Sequence, residues 1–349
     1  MLKYSIKRIV LAFITTFIIL TLTFFLIKSL PTAAVVATDK KVVFAFYMDQ
    51  VELGYCEYFV KPAVEHYVPS VKPLDSLVVG GDEYFFYTTP IIQQYFRWIG
   101  NIVTKWDWGT STKLEAGASA IRMIAQALPN TILVNLCSVV LSVPLGIVLG
   151  IVAGLKKNTW VDHTISTSVM IFVAIPNFVF ITFLLRWLAY DAQVLPPAWF
   201  RSEDTFGTKV ASLVIPVLAL SFGAICSYAR FVRAELCDVM SSEYILLART
   251  KGLTKNQAIV RHALRNAFVP ILPAILSEVI GLLSGSMILE NLYNIPGLGK
   301  LYYRALTSPD YNVLMVDMAI FTTIGLLASI VFDLSYGFID PRIRMGAKK

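Results

Sequence analysis

The sequence predicts an all-α membrane protein of six transmembrane helices, with a small extracytoplasmic elaboration between the first two. Three observations carry that class. The 349 residues are 56% hydrophobic and only 15% charged, where a soluble domain is nearer a quarter charged. The apolar residues gather into runs long enough to cross a bilayer. The basic residues are sorted: of 30 Lys and Arg, 16 fall in four segments that alternate with those runs, as the positive-inside rule requires of cytosolic loops. The net charge of +7 therefore reports topology rather than nucleic-acid binding, since no further basic face is present.

Taken in order, Lys3, Lys7 and Arg8 precede the first apolar run, Ile9 to Ile27, which reads as an uncleaved span with a cytosolic amino terminus. The first unit is residues 1–30, with Lys28-Ser-Leu-Pro as the membrane exit. Residues 31–127 lie outside. Within them Lys41 to Tyr47 alternates like a strand, Gly80-Gly81 marks a turn, and Tyr84 to Tyr87 is an aromatic run. A small β-containing subdomain and a long, partly ordered loop both fit this region. Ala118 to Leu128 reads as a short amphipathic helix ended by Pro129. Asn130 to Leu155 is the second span, closed by Lys156 and Lys157. Thr164 to Leu188 is the third, kinked at Pro176. Val210 to Tyr228 is the fourth, Phe268 to Leu289 the fifth and Val313 to Tyr336 the sixth. Together 128–340 form a five-helix core with a cytoplasmic loop at 230–266, and 341–349 a cytoplasmic tail.

That loop holds the most informative stretch, Ser241 to Pro273. Ser241 suits an N-cap, Glu243 suits the positive end of a helix dipole, and Tyr244, Leu247 and Ala248 share one face. Gly252 ends the run as a left-handed cap, leaving small residues (Ala248, Gly252) where another molecule could come close. Thr254 and Gln257 match a capping box that opens a second short helix to about Arg265. From the residues alone, this pair also suits a basic amphipathic linker resting on lipid headgroups.

Other chemistry is scarce. The four cysteines, Cys56, Cys137, Cys226 and Cys237, form no obvious disulfide framework, and His66, His163 and His262 are scattered. Gly-Leu-Gly-Lys at 297–300 suggests a phosphate loop, but the first Gly of that pattern is missing and Leu301 stands where Ser or Thr should follow. Glu278 is the one acid near the middle of an assigned span. It reads either as a hydrogen-bonded strut between helices or as a lining of a translocation path.

The run EYILLARTKGL followed by IVRHALRNAFVPILP resembles the cytoplasmic signature loop of bacterial ABC-importer permeases. TPIIQQYFRWIGNIVTKWDWGTS with its Asp107, Gly109 and Ser111, the AIPNFVF stretch, SGSMILENLYNIPGLGKLYYRAL and the Ile339-Asp-Pro-Arg-Ile-Arg tail resemble the dipeptide, oligopeptide and nickel branch. Residues 39–88 depart from the common pattern. The resemblance implies a type I importer permease in a bacterial cell membrane, both termini cytoplasmic. It implies a second homologous permease, two ATPase subunits and an extracytoplasmic solute-binding protein as partners. The chain would be non-catalytic, with no cofactor of its own and ATP and Mg on the ATPase. Coupling would run through the 241–256 loop, with Glu243, Tyr244, Ala248, Arg249 and Gly252 as the contact residues. Peptide is the expected cargo. Nickel or another small solute, and a secondary transporter, stand as alternatives.

Overall fold

A computed structural model describes residues 2–29, 40–62, 73–115, 117–281 and 285–339. The 30–31 membrane exit, His66, Ser284 and the tail from Asp340 lie outside the described residues. In chain order the elements are α1 (Leu2–Ser29), α2 (Lys40–Glu52), β1 (Cys56–Pro62), β2 (Asp75–Val79), β3 (Asp82–Thr88) and α3 (Ile91–Lys105). Then come α4 (Ala120–Leu155), α5 (Trp160–Val173), α6 (Asn177–Leu184), α7 (Phe206–Met240), α8 (Glu243–Thr250), α9 (Lys255–Ala258), α10 (Leu264–Gly281), α11 (Met287–Leu292), α12 (Leu298–Thr307) and α13 (Tyr311–Ile339). Among the described residues five helices are long and apolar enough to cross a membrane, and six spans result if the bent pair α5–α6 counts as one. The chain divides into two compact units, one of residues 14–125 with 304–320, the other of the remainder.

In the first unit, an antiparallel sheet of order β1-β3-β2 carries α2. The Gly80-Gly81 turn joins β2 to β3, and both glycines have positive φ (66° and 97°), as a two-residue hairpin loop requires. Lys41 to Tyr47 is helical, which corrects the strand expected there. Its apolar residues satisfy both periodicities, and packing decides. As a helix it buries Val43 and Tyr47 together against Leu77 and Phe86, with the Tyr47 and Phe86 rings stacked at 4.6 Å. The carboxy-terminal half of α1 lies along α3: Phe24 sits 5.0 Å from Trp98 and 5.5 Å from Tyr95. The opposite flank of α1 exposes Ile18, Leu22 and Leu26, as a lipid-facing surface does.

The Asp107, Gly109, Ser111 motif is a docking clasp. Asp107 accepts from the Gly109 N–H at 2.9 Å, and Gly109 (φ +87°) passes close to Asn312, whose amide donates to the Thr110 carbonyl at 2.8 Å. One oxygen of the buried Asp310 accepts from the Ser111 hydroxyl at 2.6 Å and from the backbone N–H groups of Thr112, Lys113 and Leu114. The segment ahead of α4 is thereby tied to the start of α13.

In the second unit α7 is the central helix, packed by α5, α6 and α10. α4 joins it through Gly146, Gly150 and Gly154, one face at i, i+4 and i+8. A Cβ on Gly150 would stand 2.6 Å from the Val232 Cβ, so the backbones meet at a distance only glycine permits. Four boundaries differ from those expected. α4 runs unbroken through Pro129 and Pro144, so the short helix and second span are one helix. In a membrane a proline costs one ladder bond but need not end the helix. The third span is broken, not kinked: α5 and α6 meet at 96°, because Pro176 excludes Ile175 from helical backbone and itself starts α6. The helix begun at Lys255 does not stop at Arg265. It continues through a wider turn at Ile259–Ala263 into α10, since nothing before Pro270 breaks it. The fifth span is described as far as Gly281, and Leu289 belongs to α11 rather than to that span.

Candidate functional site

The 241–252 stretch folds as a short helix standing on the carboxy-terminal end of α7. Ser241 closes α7 rather than capping α8, its hydroxyl donating back to the Asp238 carbonyl at 2.9 Å. Ser242 takes the N-cap position. Ile245 anchors α8, buried with Leu236 of α7 and Ala263 and Ala267 from the helix that follows. Ala248, one turn on, is also buried, so it serves this internal contact and is not an open spot for another molecule. The expected Tyr244–Leu247–Ala248 face is therefore split. Tyr244, Leu246 and Leu247 point outward at 41%, 63% and 56% exposure, with Glu243 and Arg249 exposed beside them.

The helix ends in a Schellman arrangement: the Gly252 N–H donates to the Arg249 carbonyl at 3.0 Å and the Leu253 N–H to the Ala248 carbonyl at 3.3 Å. Gly252 has φ +95°, and a Cβ built there meets nothing, so the turn is open to the outside. Thr254 and Gln257 form the reciprocal capping box. Three exposed apolar side chains on an eight-residue helix, held rigid by a cap at each end of the turn, make a surface for a protein groove.

A second feature lies between α7 and α10. A cavity of about 710 Å³ is lined by Ser227, Tyr228, Arg230, Phe231, Ala274 and Glu278, among others. Glu278 is half-buried and sits in the last turn of α10, three residues before its end, rather than midway along a span. It faces the Tyr228 hydroxyl, which also donates to the Ala274 carbonyl at 3.3 Å.

Two buried ionic constructions were not foreseen. Asp162, at the start of α5, takes a bidentate pair from Arg233 of α7 at 2.5 and 2.8 Å, with further donors from the Asn158 N–H and the Ser166 hydroxyl. Glu290, on α11, accepts from the Thr131 hydroxyl at 2.9 Å and from the N–H groups of Ser286 and Lys300. Burial pushes its carboxyl above the ordinary carboxylate range, against the pull of those donors. This explains Gly-Leu-Gly-Lys. A Cβ on Gly297 would fall 2.5 Å from a Glu290 oxygen, so the glycines let the loop wrap an internal carboxylate, which occupies the N-terminus of α12 where a phosphate would sit. An acid amid the apolar run ahead of two glycines was the available signal.

Residues 146–345 match the family model of the binding-protein-dependent transport system inner membrane component. The chain belongs to this family. The dipeptide transport system permease protein DppB of Lactococcus lactis subsp. cremoris (strain MG1363) is 30% identical over 99% of this chain and 100% of that protein. DppB of Bacillus subtilis (strain 168) is 30% identical over 76% of this chain and 84% of its own length. The oligopeptide permease protein OppB of Escherichia coli (strain K12) is 28% identical over 99% of this chain. Among solved structures, the MetNI methionine ABC transporter in an inward-facing conformation matches with TM-score 0.50 and 18% identity over 63% of this chain and 97% of that one, a likeness of fold. The protein is thus a mostly helical permease subunit of an ABC importer and an inner membrane component.

Proposed function

We propose that this permease carries short peptides and forms half of a translocation path, the other half coming from a second homologous permease. Two ATPase subunits and an extracytoplasmic binding protein complete the machine. The observation that carries the cargo reading is the full-length match to a dipeptide permease, which includes the segment from 39 to 88. In this reading the chain hydrolyses no ATP and holds no cofactor. Both termini face the cytosol, 31–127 lie outside, and α8 with its flanking turn enters a cleft of an ATPase. The exposed Tyr244, Leu246 and Leu247, with Glu243, Arg249 and Gly252 around them, are what the ATPase grips. ATP-driven closure of the ATPase pair draws the two α8 helices together and turns the path outward.

The test is reconstitution of the chain with the subunits that co-purify with it. ATP-dependent uptake of a labelled dipeptide, absent without the binding protein, is the expected result. Uptake of nickel but no peptide would overturn the cargo, and uptake without any ATPase would overturn the mechanism.

A further inference from the structure

The cavity between α7 and α10 is built unlike a lipid-facing or a helix-packing surface. Leu236 of α7 meets Ala263 and Ala267, while Tyr228 meets Ala274, so the two helices run antiparallel. On α7 the residues turned to the cavity are Ala224, Ser227, Arg230 and Ala234, spaced three to four apart, whereas Cys226 and Ala229 face away, toward Val169 of α5. Ser227 and Arg230 are exposed on a helix whose most apolar window has mean hydropathy 2.2. Arg230, expected at the start of the cytoplasmic loop, is instead carried on α7, so it and Glu278 place a guanidinium and a carboxylate on one face of two helices, where they belong beside water or a polar ligand.

The charges are also separated by a usable length. Glu278 lies four residues beyond Ala274, and Arg230 lies two residues beyond Tyr228 in the opposite direction. At 1.5 Å per residue they stand about 9 Å apart along the helix axes. Two to three extended residues span about 7–10 Å.

We propose that this cavity is a transit subsite for short zwitterionic peptides. Glu278 receives the terminal ammonium and Arg230 the terminal carboxylate. The exposed Ser227 hydroxyl stands between them as a hydrogen-bond partner for the peptide bond, while the buried Tyr228 hydroxyl holds Glu278 in place. The alanines at 224, 234 and 274 leave room for side chains of any kind, so the subsite reads the termini and not the sequence. The inference rests on the peptide reading above and adds the residues that meet the cargo inside the membrane.

The test uses the assembled transporter in lipid nanodiscs and in proteoliposomes, with Ser227→Cys as a reporter and the unsubstituted chain as background. Millimolar dialanine is expected to slow labelling of the new thiol several-fold, and N-acetyl-dialanine amide to leave it unchanged. Glu278→Gln or Arg230→Gln is expected to abolish the protection. Each should also lower maximal dialanine uptake about tenfold at an unchanged half-saturating concentration, which the binding protein sets. Protection that is equal for the blocked peptide, or that survives both substitutions, overturns the subsite. So does loss of co-purification with the partner permease in either variant, because the charges would then hold a subunit interface. If the unsubstituted transporter takes up dialanine but the reporter shows no protection, only the subsite falls. If it takes up no peptide, the cargo reading falls with it.

Discussion

Gly252 shows how a single residue can matter through backbone alone. Its φ of +95° costs a Cβ-bearing residue about 1 kcal/mol, yet a side chain there meets nothing within this chain. Gly252→Val should therefore leave membrane abundance near normal while cutting substrate-stimulated ATP hydrolysis by about tenfold or more. Leu247→Arg, on an exposed position, should do the same without any backbone strain. If both variants assemble and hydrolyse ATP normally, α8 is not the docking element. Asp310 is the opposite case, a buried side chain on which four donors converge. Asp310→Ala strands them, at about 2–3 kcal/mol, and should raise protease sensitivity near residues 111–115 at unchanged α8 function. Cys56 bears on labelling. Burial pushes its thiol up to about 11, the nearby Lys28 opposing, so an impermeant maleimide at pH 8 should fail to modify it in the folded protein. Cys237 is buried as well, so an exposed position such as Ser202→Cys is the better marker of the outer face.

At the scale of elements, the spans are held by close approach and by one clamp. Gly150→Leu would drive a side chain into Val232 and the Ala229 carbonyl, forcing α4 off α7. An overpacking cost of about 1–3 kcal/mol should appear as reduced membrane abundance and a lower detergent melting temperature. The Asp162–Arg233 pair joins α5 to α7 with both carboxylate oxygens occupied. Asp162→Ala should destabilise by about 3 kcal/mol, because it leaves Arg233 without its buried counter-charge. Adding Arg233→Met should recover part of that loss, and a double variant as unstable as the single one would show that the carboxylate acts through its Asn158 and Ser166 donors instead.

For the whole molecule, the expected topology makes a direct claim. With intact cells, Ser202→Cys is expected to react with an impermeant thiol reagent, and a cysteine at exposed Lys251 is not. Labelling of the second from outside would invert every span.

The sequence by itself determined the membrane class, the sorting of charge and the capped pair of turns around Gly252. Each of these is written in local composition: apolar length, basic flanks, a glycine where φ must be positive, a Thr and Gln three apart. Tertiary structure decided what local pattern leaves ambiguous. Lys41 to Tyr47 fits both a strand and a helix, and contact with Leu77 and Phe86 selected the helix. Pro129 and Pro176 look alike in sequence, yet one is absorbed within α4 and the other breaks a span by 96°, since neighbouring groups and not the ring alone decide whether the chain continues. Glu290 and Asp162 bond to partners 159 and 71 residues away, respectively, which the local sequence around each acid does not name. The same holds for Arg230 and Glu278: each reads alone as a stray charge, and only the antiparallel packing of α7 on α10 sets them on one cavity.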